Sequence, residues 1–225
     1  FQFDDREVVH LRHGFRNNVI MGGNDFIIGS AVEDPRAFSS PVEDKSGLKL
    51  VLDARKSFAL GEPVVVEVKL YGTDLRGVQV IKHLHPNMGF VQIGIKKPSG
   101  RIGLYEPLME HCVAPEVTTL DADQPSIYES AFISYGKGGH YFDEIGEYQL
   151  RAIYHSLDGS LVTSDTLSFR VKAPHNSTDE DVADLLLGDE QGTLLYLLGS
   201  DSEFLKKGNK AFDTLISDYR EHPLT

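Results

Sequence analysis

The chain has 225 residues and a formal net charge of −12, from 22 Lys and Arg against 34 Asp and Glu. Because no basic stripe stands out in this acidic chain, binding to nucleic acid or to anionic membranes is disfavoured. Hydrophobic residues make up 40% of the chain and charged residues 25%, which excludes a wholly disordered chain. No run of about 18 apolar residues occurs, so no membrane span is predicted.

The first 46 residues contain two strand-like segments, EVVHLRHGFR and NDFIIGSAVE, which the glycine turn MGGND separates. Residues 1–46 are therefore predicted to form an N-terminal β extension. The sequence starts FQFDDREVV, with neither an initiator methionine nor a signal-peptide pattern. We therefore expect the chain to be a processed or excised piece of a longer protein.

Regular alternation of apolar and polar residues begins at Leu48. In LKLVLDA, Leu48, Leu50 and Leu52 share one face, as in a half-buried strand. The same pattern recurs in PVVVEVKLY, GFVQIGIKKP, EYQLRAIYHS and SDTLSFRVK, and GVQVIKHL and SIYESAFISY are further strand candidates. Glycine-containing turns such as PSGR, GKGG and LDGS separate these segments. The pattern predicts a mainly β chain with an Ig-like antiparallel β-sandwich over residues 47–173.

The segment EIGEYQL contains a pattern typical of one corner of such sandwiches. Tyr148 stands two residues after Gly146 and two before Leu150. This is the spacing of a tyrosine corner, in which a tyrosine near the start of strand F bonds its hydroxyl to backbone upstream. Leu150 occupies the position that a cysteine holds in antibody domains. The alternation that follows places Tyr148 and Leu150 in the core and His155 on the outer face.

Two sequence patterns resemble bacterial Ig-like sandwich domains. One is GEPV at Gly61 to Val64, at the opening of a strand, and the other is the G-x-Y-x-L-x-A pattern that starts at Gly146. The chain is also similar to the intracellular proteinase-inhibitor branch of these sandwiches, whose domains are shorter. The resemblance implies a sandwich fold and, through that branch, proteinase inhibition as an alternative function.

From residue 174 onward the apolar pattern changes from the period of a strand to that of a helix. Ser177 with Glu180, and Ser200 with Glu203, match the capping boxes that open helices. Residues 174–225 are therefore predicted to form a short C-terminal α-helical segment of two or three helices. Its last helix carries an apolar face, which we expect to pack within the chain or against a partner.

Paired histidines are the candidates for a metal site. His83 and His85 lie two positions apart in HLHP, and on a strand such positions share a face, so both could reach one ion. Zinc needs three or four ligands, and His111 or Cys112 would have to complete the set. Scattered surface or structural histidines are the alternative, and no HExxH motif is present.

Motifs for nucleophilic catalysis are absent from the sequence. No serine lies in GxSxG, and His111 would diverge from its neighbour Cys112 on a strand, which favours a structural cysteine. The sequence therefore favours a non-catalytic binding or accessory module of a larger, exported bacterial protein, in the extracellular space or periplasm and without a cofactor. Its expected partner is another protein or the remainder of the parent chain. The alternatives are a proteinase inhibitor and a metal-dependent enzyme or metal carrier that uses the clustered histidines.

Overall fold

The computed structural model describes residues 47–74, 76–111 and 114–225. The predicted N-terminal β extension and Cys112 lie outside these residues. The extension and the structural role expected for Cys112 therefore stay predictions.

Short strands make up most of the described chain up to Lys172. They are β1 (Leu48–Asp53), β2 (Ser57–Ala59), β3 (Val65–Gly72), β4 (Val78–Ile81), β5 (Val91–Lys96), β6 (Ile102–Leu104), β7 (Val117–Leu120), β8 (Ser126–Phe132), β9 (Tyr135–Gly136), β10 (Gly139–His140), β11 (Gly146–His155), β12 (Leu161–Thr163) and β13 (Leu167–Lys172).

Two sheets face each other across the main core. The first has the order β1-β3-β8, with antiparallel pairing that sets Leu50 opposite Leu70. The second has the order β2-β13-β11-β5-β6, with β12 also paired to β11, and it sets Leu150 opposite Ile95. Its pairs are antiparallel except β2 with β13, which run parallel. The short pairs β4-β7 and β9-β10 complete this part of the fold.

Period-two alternation builds the core, since every second side chain of a strand points inward. In β3 the inward side chains Val66, Val68 and Leu70 are fully buried, and both sheets contribute to one continuous apolar cluster. The predicted mainly β, Ig-like sandwich followed by a short helical segment is therefore confirmed for the described residues.

The outward placement of His155 is wrong. This residue is only 1% exposed, and its N–H donates to the Phe90 carbonyl oxygen at 3.0 Å. The alternation fails there because both faces of β11 are covered at its end, so that the adjacent residues Tyr154 and His155 are both buried.

Three helices follow the last strand: α1 (Ser177–Leu186), α2 (Asp189–Leu197) and α3 (Lys206–Asp218). The cap of α1 is Asn176, whose side chain accepts a hydrogen bond from the Asp179 N–H at 2.9 Å. The expected cap at Ser177 is therefore displaced by one residue. Near the second predicted cap, Ser202 opens a one-turn 3₁₀ helix, Glu203–Leu205.

The helical segment docks against one end of the sandwich through close backbone contacts. A Cβ atom added at Gly192 of α2 would lie 2.2 Å from the ring of Tyr135, so only glycine allows this approach. The Tyr135 hydroxyl lies 3.3 Å from Asp189 Oδ1 at the start of the same helix, and His140 Nε2 lies 3.0 Å from the Gly188 carbonyl oxygen. The helices and the sandwich thus meet along a packed boundary, called the seam below.

Candidate functional site

The two histidines proposed as a ligand pair do not lie on a strand. β4 ends at Ile81, so His83 and His85 belong to the loop that follows it. The ring of His83 stacks on Phe90 with centroids 6.3 Å apart. His85 instead caps the one-turn 3₁₀ helix Pro86–Met88. The two side chains therefore have different surroundings.

The hydrogen bonds of His85 define which ring nitrogen carries its proton. Nδ1 accepts a hydrogen bond from the Asn87 N–H at 3.2 Å, so the neutral ring carries its hydrogen on Nε2. Burial lowers the pKa of His85, and the nearby Glu129 carboxylate opposes this shift only in part. At neutral pH His85 is thus uncharged and presents an oriented N–H donor.

Glu129 holds the histidine loop in place. Its Oε2 accepts the N–H groups of Leu84 at 2.9 Å and of His85 at 3.0 Å. After β4 the backbone has no strand partner to accept these N–H groups. Since a buried N–H needs an acceptor, the Glu129 carboxylate takes the place of the missing strand.

A cleft of about 240 Å³ opens beside His85 at the seam. Segments that are far apart in sequence form its walls: the histidine loop, the chain before Cys112, the end of β8 and the end of α2. The lining residues are His85, Asn87, Met109, His111, Phe132, Tyr196, Leu197 and Leu198. These described residues include two imidazoles but no carboxylate, lysine or arginine. The cleft is therefore mainly apolar with a few polar atoms.

Tyr196 joins the two sides of the cleft. Its ring packs edge-to-face against Phe132 with centroids 6.4 Å apart. Its hydroxyl accepts from the Met109 N–H at 3.4 Å and donates to the Met109 carbonyl oxygen at 3.3 Å. The wall around Met109 is thereby tied to α2.

Leu198 stands at the mouth of the cleft in an unusual conformation. It has φ 58° and ψ 36°, in the left-handed region, and it is the one non-glycine residue with positive φ in the part of the chain that the structure describes. It ends α2 with its N–H directed at the Leu194 and Leu195 carbonyl oxygens, and the Gly199 N–H bonds Leu194 O at 2.8 Å. Glycine is the usual residue at such a helix end. The side chain of Leu198 is 95% exposed.

The cleft also brings together two of the histidines considered as metal ligands. His85 and His111 both line it, and the backbone N–H of His111 donates to the backbone carbonyl oxygen of Asn87 at 2.8 Å. His83 does not line it. Within residues 47–74, 76–111 and 114–225, no three His, Cys, Asp or Glu side chains are arranged to hold a metal ion. Since Cys112 lies outside these ranges, metal binding by His85 stays a hypothesis.

The tyrosine proposed for the sandwich corner is buried at the start of β11. Its hydroxyl accepts a hydrogen bond from the Glu144 N–H, four residues upstream, at 2.8 Å. Burial raises the pKa of Tyr148, so the phenol stays protonated. Gly146 has φ 139°, and a Cβ there would lie 2.7 Å from Pro98 Cβ. Leu150 is fully buried. The energetic contribution of this corner stays a prediction.

The GEPV segment forms the turn between β2 and β3. Glu62 Oε2 accepts the Ala59 N–H at 2.8 Å, and its carboxylate pairs with the Arg55 guanidinium. Gly61 has φ 82°, and a Cβ there would lie 3.2 Å from the backbone of Ala183 in α1. The turn is therefore packed under the first helix.

Most residues of the cleft could not be identified from the sequence. Met109, Phe132 and Tyr196 carry no local motif, and only the packing of the helices on the sandwich brings them together. One local pattern was present: Leu197-Leu198-Gly199 places a leucine where a helix end normally has glycine.

None of the helices in the described ranges is long and apolar enough to cross a membrane.

No protein-family model matches the chain, and no curated protein matches its sequence. Among solved structures, the Pseudomonas fluorescens alkylpurine DNA glycosylase AlkC, bound to DNA with an abasic site analogue, aligns with a TM-score of 0.33 and 16% identity over 58% of this chain and 32% of that chain. A Listeria innocua β-glucosidase aligns with a TM-score of 0.32 and 15% identity over 60% of this chain and 17% of that chain. This chain therefore spans less than a third of either protein's own chain.

The CARDB domain of a Pyrococcus furiosus protein, in complex with di-metal ions, aligns with a TM-score of 0.29 and 12% identity over 60% of this chain and 95% of that chain. Because all of these TM-scores lie below 0.5, the assignment of the sandwich rests on the strand pairing of this chain itself.

Proposed function

We propose that this chain is a non-catalytic protein-binding module of a larger, exported bacterial protein, and that it binds its partner at the seam cleft. The supporting observation is Leu198, a leucine that is 95% exposed and held in a left-handed conformation at the mouth of an apolar cleft.

The conformation of Leu198 costs free energy that its side chain does not recover within the chain. A left-handed conformation costs an L-residue roughly 1 to 2 kcal/mol, and glycine would avoid that cost. The exposed side chain makes almost no compensating burial within the chain. Local strain without an internal gain is typical of functional positions. A partner that covers the leucine would bury its side chain, and this burial supplies the favourable free energy that offsets the conformational cost.

The surroundings of Leu198 resemble the centre of a protein interface. Leu197 is 39% exposed and Met109 is 47% exposed, and both line the same cleft as Phe132 and Tyr196. Aromatic residues and methionine are enriched in such interfaces, and a few residues in well-packed central pockets supply most of the binding energy. The net charge of −12 opposes self-association, which favours a different protein or the remainder of the parent chain as the partner.

A photo-crosslinking experiment tests this function. A benzophenone amino acid replaces Leu197 in the whole chain, and a matched control replaces Ile216, which is 63% exposed on α3 and does not line the cleft. We expect one polypeptide to crosslink at position 197 and not at position 216. That polypeptide is then purified and titrated with the Leu198→Gly and Ile216→Ala variants.

The expected result is a Kd at least about tenfold weaker for Leu198→Gly and unchanged for Ile216→Ala, since a tenfold loss corresponds to about 1.4 kcal/mol of anchor energy. Equal binding by both variants contradicts the proposed contact surface. Catalytic turnover on any substrate in the absence of a partner contradicts the non-catalytic assignment.

Proteinase inhibition is the second candidate, supported by the resemblance of the GEPV segment. Titration of the chain against a panel of serine proteinases and metalloproteinases tests it. The packing of Gly61 under α1 leaves that turn poorly placed to enter a proteinase active site. An absence of inhibition at micromolar concentration ends this alternative.

Metal binding is the third candidate, supported by the convergence of His85 and His111 on one cleft. Elemental analysis of protein purified without a tag is the test. A zinc and copper content near zero leaves the cleft without a metal role, and a stoichiometric metal that His83→Ala retains and His85→Ala loses supports it.

A further inference from the structure

We infer that the seam cleft receives one large, uncharged side chain of a partner polypeptide, and that His85 Nε2–H donates to a neutral carbonyl oxygen of that segment. This inference rests on the proposed function and specifies the chemistry of the partner.

The size of the cleft limits the occupant. Its volume of about 240 Å³ falls below the range of roughly 300 to 1,000 Å³ that drug-sized ligands occupy. One large side chain with part of its peptide backbone fits this space, whereas an entire helix or a folded cofactor does not.

The lining selects against charge. Met109, Phe132, Leu197 and Leu198 contribute apolar surface, and no lysine, arginine or carboxylate lines the cleft among the described residues. A charged side chain that entered would lose hydration without gaining an ion pair, which is strongly unfavourable. An aliphatic or aromatic side chain loses no such hydration and gains apolar burial.

The polar atoms of the cleft match a peptide group. His85 Nδ1 is occupied by the Asn87 N–H, so Nε2–H is the donor that remains, and no described residue accepts from it. Glu129 lies behind the same loop with its carboxylate already accepting two N–H groups. Its negative charge disfavours a carboxylate at His85 and leaves a carbonyl oxygen as the suitable acceptor.

A second polar atom is consistent with a peptide group. Asn87 lines the cleft, and its Oδ1 is buried without a hydrogen-bond partner among the described residues. Such an acceptor favours a donor nearby. Asn87 Oδ1 is shielded from solvent in the present conformation. After a rotation of the Asn87 amide, the N–H of the entering peptide group can donate to this oxygen.

Small capped amino acids are suitable probes for this chemistry. The ¹⁵N-labelled whole chain is titrated at pH 7.5 with the N-acetyl methylamides of phenylalanine, leucine, glutamate and lysine, and with toluene, which lacks a peptide group. We expect the phenylalanine or leucine compound to bind with a Kd on the order of 1 mM, the affinity that about 15 heavy atoms can provide. Amide shifts should be largest at Asn87, Met109, Leu197 and Leu198.

Two histidine variants give the test a matched control. His85→Phe keeps an aromatic ring in the cleft wall but removes the donor, and it should weaken binding of the phenylalanine compound about tenfold while weakening binding of toluene much less. His83→Phe alters a neighbouring ring outside the cleft and should leave both affinities within twofold. If His85→Phe does not fold, His85→Gln, which retains an N–H donor, should bind as well as the parent, and Leu198→Gly should still weaken binding.

Several outcomes overturn the inference. They are equal affinity for the charged and uncharged compounds, equal affinity of His85→Phe and parent for the phenylalanine compound, and shifts confined to another surface. A crosslinked partner at position 197 combined with any of these results leaves the proposed function intact and removes only the predicted partner chemistry.

Discussion

At the scale of single residues, Leu198 gives a prediction in which stability and binding change in opposite directions. Leu198→Gly should raise the free energy of unfolding by about 0.5 to 1 kcal/mol, because glycine relieves the left-handed strain and loses part of that gain to its greater freedom in the unfolded chain. Almost no buried surface is lost, since the side chain is exposed. Chemical denaturation measures the change, and a destabilised variant contradicts the strain at this helix end.

Tyr148 gives a second prediction at this scale. Tyr148→Phe should lower the free energy of unfolding by about 1 to 3 kcal/mol, because the buried Glu144 N–H loses its acceptor. Tyr148→Ala should cost roughly 3 to 5 kcal/mol in all, since it also removes a buried ring. Denaturation of both variants is the measurement, and binding by the folded fraction should not change. A Tyr148→Phe variant as stable as the parent refutes the corner assignment.

His85 gives a prediction about pH. Burial lowers its pKa in the folded chain, so its stabilising contribution is complete above about pH 6.5, the value of an unperturbed histidine. As the pH falls below that value, the unfolded chain takes up a proton that the folded chain resists, and the free energy of unfolding decreases until the lower folded pKa is reached. The slope is at most about 1.4 kcal/mol per pH unit.

Denaturation midpoints between pH 7.5 and 5 check this prediction. The parent is compared with matched variants, because all other groups titrate equally in both and cancel from the difference. His85→Gln should flatten the profile in this window relative to the parent. His83→Gln should keep the parental slope. Identical profiles for the parent and His85→Gln show that the ring is not held neutral by its surroundings.

At the scale of elements, α2 depends on Gly192 for its position. Gly192→Ala improves helix propensity by about 1 kcal/mol, but its methyl group would overlap the Tyr135 ring. Overpacking should dominate, with a net loss of about 1 to 2 kcal/mol and faster proteolysis between Lys172 and Ser177. Gly103→Ala is the matched control, since nothing lies within 4 Å of a Cβ there. Unchanged proteolysis of Gly192→Ala contradicts the close packing.

The strands were predictable because inward and outward residues alternate wherever one face of a strand is buried. The pattern misled where another contact replaced strand pairing: Leu84 in GVQVIKHL is fully buried, yet β4 ends at Ile81 and Glu129 accepts the Leu84 N–H. The cleft was not predictable. It joins the histidine loop with Phe132 and Tyr196, and no local period records contacts over such separations.

At the scale of the whole molecule, the pairing of β2 with β13 has a mechanical consequence. The two strands run parallel, with Ser57 opposite Arg170 and Ala59 opposite Lys172. Tension applied before β2 and after β13 therefore pulls them in opposite directions along their length, so that their hydrogen bonds are loaded together in shear and not opened one after another. The end of the sandwich that supports the helices should consequently resist force along the chain better than force across it.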